Sequence, residues 1–230
     1  MPEISKKSQH QITAIEKELA MLPNGSLIKK KSFYYHKLDG KETGITNNPV
    51  LIQQLARQRF LNQEKKLIQK NIIANPNEIM NMLPKSYQDL PVANFYHTRV
   101  HQWLAKPEVK NTYPMTTIYT TKNGTQVRSK SEWMVANVLE KHQIPYRYEN
   151  RMVIAGQKMH PDFMLMQPFT GKLILWEHFG ALNREGYEEK MILKMNTLLG
   201  NGWRPWDNLI YTFEFDLNHI ERLIETFILG

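Results

Sequence analysis

The 230-residue sequence contains no cysteine, which excludes disulfides and thiolate metal sites. Any metal must be held by oxygen or imidazole ligands, and the absence fits a reducing compartment. There is no Gly-rich phosphate loop, no serine in a nucleophile-elbow pattern, and no pair of histidines at i and i+4 around a glutamate. No apolar run approaches the roughly 18–20 residues that span a bilayer, and the opening MPEISKKSQHQ lacks the apolar centre of a signal peptide. A cytoplasmic protein with no membrane association is expected. Repeats and low-complexity tracts are also missing, and 41% apolar residues suffice for a packed core.

What the sequence does have is positive charge in one half. Residues 1–115 hold 17 Lys and Arg against 9 Asp and Glu, whereas residues 116–230 hold 13 of each, so the first half carries the whole net charge of +8. A basic module beside a neutral one suits a polyanion, because Lys and Arg contacts to phosphates release counterions and supply most sequence-independent affinity. A solvated basic surface has the same composition, and charge alone leaves both open.

In that basic half, Ile12, Ile15, Leu19 and Leu22 fall on one helical face before a Pro-Asn-Gly break. SLIKKKSFYYHKLDGKETGIT reads as a hairpin turning at Asp39-Gly40, with Lys and Tyr interleaved. Such a face can grip phosphates or stack on bases, and an ordinary exposed strand can carry it too. Asn48-Pro49 starts a longer helix, and Asn75 to Glu78 starts another. Lys29, Lys30 and Lys31 on the hairpin, with Arg57, Arg59, Lys65 and Lys66 outside the helix's apolar stripe, are the candidate nucleic-acid contacts. The proline-dense residues 106–114 mark the expected boundary between a basic module, 1–115, and a second domain, 116–230.

The second half reads as a hairpin turning at Asn123-Gly124, a helix capped by Ser129, short strands PYRYE and RMVIAG, and then the pair in PDFMLMQPFTGKLILWEHFG. A helix over about 184–199, a buried strand NLIYTFEF and a last helix capped by Asp216, with Leu217, Ile220, Ile224 and Phe227 inward, complete an α/β order. Asp162 and Glu177 lie on neighbouring strands if the turn falls at QPFTG. Two carboxylates with a carbonyl and waters suit Mg²⁺ or Mn²⁺, which polarises a phosphoryl oxygen and makes a water easier to deprotonate. Glu177 interrupts an apolar strand, where a charge costs several kcal/mol unless something pairs with it.

The order RSKSEWMVANVLEKHQIPYRYE, HPDF, LILWEHFG, YEEKMILKMNTLLGNGW and NLIYTFE resembles the PD-(D/E)XK nuclease superfamily, over about residues 116–215. The resemblance implies a restriction-endonuclease-like core of helix, three strands, helix and strand, preceded here by the basic helix-and-hairpin module. It also implies a divalent-metal-dependent nuclease, endo- or exonucleolytic, acting on DNA or, less directly, RNA, and often as a homodimer. Asp162 and Glu177 match the family's metal-holding carboxylates, and Glu132 the glutamate of its first helix. In SKSE, however, Glu132 also completes a capping box with Ser129.

The family's lysine would fall at Phe179, so here the pattern departs. Its work, orienting or deprotonating the attacking water and offsetting charge on the phosphate, needs a cation near the metal from any part of the chain. Tyr187, Lys190 and Lys194 share a helical face after Glu177, and the superfamily is known to move the lysine onto this helix. Lys194, then Lys190, is the expected replacement. His178 is a further catalytic candidate, although strand alternation points it away from Glu177. Without a replacement, the chain reads as a non-catalytic nucleic-acid-binding protein on a degenerate nuclease core, or as a protein-interaction domain.

Overall fold

The computed structural model describes residues 6–182 and 184–229, a mixed α/β chain with several small sheets. It divides into two compact units, one ending at Thr98 and one running from Arg99 to Leu229. Residues 99–115, expected with the basic module, belong to the second unit. The Arg147 guanidinium explains part of this, since it donates to the carbonyls of Trp103, Lys106 and Pro107 and lies over the Trp103 ring at 4.2 Å.

The first unit comprises α1 (Lys6–Leu19), β1 (Ser26–Lys30), β2 (Phe33–Leu38), β3 (Lys41–Gly44), α2 (Pro49–Gln69), α3 (Pro76–Asn81) and α4 (Lys85–Gln88). The two helix starts expected from sequence are present: Asn48 Oδ1 accepts from Leu51 N at 3.0 Å, and Asn75 and Glu78 form a reciprocal capping box. Leu55, Ala56, Phe60 and Leu61 of α2 are fully buried. The expected hairpin is a three-stranded meander, because Lys31, at φ 56°, makes a second tight turn ahead of the one at Asp39-Gly40. Arg57 also departs from expectation. It is 3% exposed and its guanidinium grips the Glu18 carboxylate at 2.9 and 3.0 Å, so it holds α2 to α1.

In the second unit α5 (Thr98–Leu104), all but its first residue in this unit, leads into β4 (Tyr119–Thr120), β5 (Gln126–Val127), α6 (Lys130–Lys141) and β6 (Tyr146–Tyr148). β7 (Met152–Ile154), β8 (Gln157–Met159), β9 (Phe163–Met166) and β10 (Leu173–Phe179) follow, then α7 (Tyr187–Gly200) and β11 (Leu209–Phe213). The main sheet has the order β11-β10-β9-β6, with β10 antiparallel to β9 and parallel to β11. RMVIAG supplies β7, but it pairs with β8, unexpected from sequence, as a separate hairpin turning at Ala155-Gly156.

Alternation along β10 divides its side chains between two faces. Leu175 packs with Leu198 of α7 and Leu209, which puts Glu177 and Phe179 on the α7 side. Trp176 and His178 face the other way, where Trp176 Nε1 donates to Thr212. The chain ends in a 3₁₀ turn (Glu214–His219), α8 (Ile220–Ile224) and a π turn (Glu225–Leu229). Ile220 and Ile224 are buried as expected; Phe227 instead lies half out, its ring 4.9 Å from Trp206.

Candidate active site

The β9–β10 ladder ends at the pair Phe163 and Trp176. One residue further, Asp162 continues it with its side chain, Oδ2 accepting from the backbone N–H of His178 at 2.6 Å. This brings Asp162 beside Glu177, which is 1% exposed. Glu177 Oε2 accepts from Lys194 Nζ of α7, and Lys194 Nζ also lies 3.4 Å from the His160 carbonyl. Glu177 Oε1 is buried with no hydrogen-bond partner among the described residues. Asp162, Glu177, Phe179, Tyr187, Lys190 and Lys194 line one cavity of about 160 Å³.

The electrostatics follow from this crowding. Burial, reinforced by the Asp162 charge, pushes the Glu177 carboxyl up to about 8 against the pull of Lys194. Burial works against the Lys194 ammonium, but Glu177 and Asp162 outweigh it and its pKa is raised. Glu132 is raised by burial and then by the same Asp162 charge. Burial and the Asp162 charge recur in all three shifts, and two carboxylates beside one ammonium, with Glu132 nearby, favour added positive charge, whether a proton or a divalent cation.

The sequence candidates separate into those this cavity gathers and those it does not. Lys194 reaches Glu177, while Lys190, one turn earlier, is exposed at the rim. Phe179, where the resemblance would put a lysine, lies with its ring 5.9 Å from Phe213. Glu132 completes the capping box: Oε2 accepts from Arg128 N, Ser129 N and Tyr148 OH at 3.0, 2.9 and 3.0 Å. It lines an adjoining cavity of about 460 Å³ that shares His178 and Tyr187 with the first. The His178 ring stays on the face away from Glu177, 3.1 Å from Thr212 Oγ1 and 3.3 Å from Glu214 Oε1, and Ser131 donates to that same Glu214 oxygen at 2.7 Å. This polar network was missed from sequence. Its signal was the parallel register of His178 with Thr212, which sequence periodicity alone does not specify.

Among the described residues, His142, Glu221 and Glu225 are the group of three whose ligand atoms come within 4.8 Å of one another. Lys141 already bonds Glu221 there. Of the basic candidates, Lys29 pairs with Asp89 at 2.7 Å, Lys30 with Glu42, and Lys65 with Glu16 at 2.7 Å. Lys31, Arg59 and Lys66 are exposed. Arg57 is spent on Glu18 in the interior, so the expected nucleic-acid contact there is withdrawn.

No family model matches the chain, and no solved structure matches it. A stretch of 70 residues is 37% identical to an uncharacterized protein of Methanocaldococcus jannaschii. That stretch covers 30% of this chain and 6% of the archaeal protein, so the match spans a small part of its relative and carries no functional argument.

Proposed function

We propose that the chain is a divalent-metal-dependent nuclease whose lysine comes from α7. The observation that carries this reading is the buried Glu177 carboxylate, bonded by Lys194 through one oxygen and unpartnered at the other, beside Asp162. The order α6, β6-β9-β10, α7 and then β11 parallel to β10 supports the resemblance to the PD-(D/E)XK core. An all-oxygen set with a buried orphaned acceptor fits Mg²⁺ or Mn²⁺, and Asp162 and Glu177 would hold it. Such an ion supplies Lewis acidity toward a phosphoryl oxygen and toward water. Glu132 acts chiefly as the helix cap and adds negative charge nearby.

The chain's own part is positioning and charge. Lys194 Nζ, fixed by Glu177 and the His160 carbonyl, offers a donor to an attacking water and to the charge that builds on a phosphate. Lys190 at the rim can meet a neighbouring phosphate. The basic first unit supports a polyanionic substrate, and DNA is the one proposed. Cleavage of plasmid and of single-stranded DNA with Mg²⁺ or Mn²⁺ is the test, and full metal-dependent activity in Asp162→Asn would sink the reading.

The packing of Phe179 on Phe213 favours a second reading, a non-catalytic nucleic-acid-binding protein on the same core in which Lys194 only neutralises Glu177. Salt-sensitive binding without cleavage, and no rise in melting temperature with Mn²⁺, would select it.

A further inference from the structure

The β1–β3 meander has one face turned inward, where Leu27 is buried, and one turned out. Alternation and register put Lys30, Phe33, Tyr35, Lys37, Glu42 and Gly44 on the outer face. Phe33 is 55% exposed there, although an aromatic ring of that size ordinarily goes to a core or an interface. Tyr35 lies two residues along the same strand, so the rings stand roughly 7 Å apart. Gly44 is the cross-strand partner of Tyr35, and even a Cβ at Gly44 would come no closer than 4.0 Å to the ring. Tyr35 is half-buried, with Gly44 beneath its ring and the Lys30–Glu42 ion pair reaching across it, so Phe33 is the open ring of this face.

Cations and a hollow accompany these rings. Lys30 is tied to Glu42, with its ammonium 5.4 Å from the Tyr35 ring centroid. Lys31 in the turn and Lys37 on β2 are exposed. Phe33 and Gly44 also border an open hollow of about 420 Å³, whose other walls include Thr46 and Asn47. An open ring beside exposed ammonium groups and a polar hollow matches unpaired bases on a phosphate backbone. A duplex keeps its base faces covered and offers Phe33 nothing to stack on.

We propose that this outer face is a platform for single-stranded nucleic acid. Phe33 stacks on a base, Lys31 and Lys37 meet phosphates, and the hollow beside Phe33 receives a base edge at Asn47. The proposal concerns binding by the first unit and does not rest on the nuclease reading.

Fluorescence anisotropy with the full chain in EDTA tests it, using a labelled 12-nucleotide oligothymidine, a 12-base-pair duplex and a polyglutamate competitor. EDTA removes metal-dependent cleavage, so failure here and failure of the nuclease reading are separate results. The single strand should bind at least tenfold more tightly than the duplex at moderate salt. Phe33→Ala and Phe33→Leu should each weaken it at least about fivefold, the lower end of what one base stack contributes. Leu keeps the apolar bulk and loses the ring face, and unchanged circular dichroism certifies either variant as folded. Lys37→Ala should shallow the salt dependence by about 0.7 in log–log slope. Equal or tighter duplex binding, unchanged affinity in Phe33→Leu, or displacement of the strand by polyglutamate at matched charge would each overturn the proposal.

Discussion

Lys194 on α7 donates to the carboxylate of Glu177 on β10, seventeen residues earlier in the chain, so a helix brings an ammonium to a strand whose own Phe179 offers none. Lys194→Met is expected to lower metal-dependent turnover at least about a hundredfold, the range for losing one preorganised donor at a developing charge. Lys190→Met should lower it less than tenfold, because that ammonium is exposed at the rim. Turnover of the two variants under saturating Mn²⁺ decides the order, and a reversed order would move the catalytic role to Lys190.

Glu177 couples stability to pH. Its carboxyl titrates near 8 in the folded chain and near 4.5 when exposed, so the folded state holds the extra proton between those values. Stability from this group is therefore complete below about pH 4.5 and falls as pH rises to about 8, by a few kcal/mol at most. Melting temperature in EDTA should decline across that window. Mn²⁺ should flatten the decline by taking the proton's place; an unchanged slope with Mn²⁺ would count against a cation at Glu177.

Glu132 offers a separation of roles. If its work is to cap α6, Glu132→Gln keeps acceptors for Ser129 N and Arg128 N, and should cost less than about 1 kcal/mol of stability with turnover nearly intact. Ser129→Ala should cost about 1 kcal/mol, also with turnover retained. Chemical denaturation beside a cleavage assay reads both effects. A loss of activity in Glu132→Gln as large as in Asp162→Asn would make Glu132 a metal ligand.

The pair Arg57 and Glu18 belongs to the interior. Arg57→Ala leaves the buried Glu18 carboxylate with only the longer contacts from His97 and the Thr98 N–H and should cost about 3–5 kcal/mol. The double variant Arg57→Met with Glu18→Leu should recover most of that loss. Its DNA affinity and salt dependence should match the parent's, in contrast to the exposed Arg59 and Lys66.

Local chemistry made much of this legible in advance. The caps at Asn48, Asn75 and Ser129, the turns at Asp39-Gly40 and Asn123-Gly124, and the opposite faces of Glu177 and His178 all follow from interactions within a few residues. The common face of Tyr187, Lys190 and Lys194 follows from helical spacing in the same way. The second turn at Lys31 stayed hidden because a lysine with positive φ is uncommon and carries no turn signature.

By itself, then, the sequence determined most of the elements, their order, and several of the residues able to do chemistry on them. Only the tertiary structure decided which of them meet. α7 turns its face so that Lys194 rather than Lys190 reaches Glu177, because Leu198 four residues on is anchored against Leu175 and Leu209. Arg57 goes inward because Glu18, thirty-nine residues away, is there to neutralise it. Such pairings depend on how side chains pack across elements, and no local pattern of i to i+4 spacing encodes that.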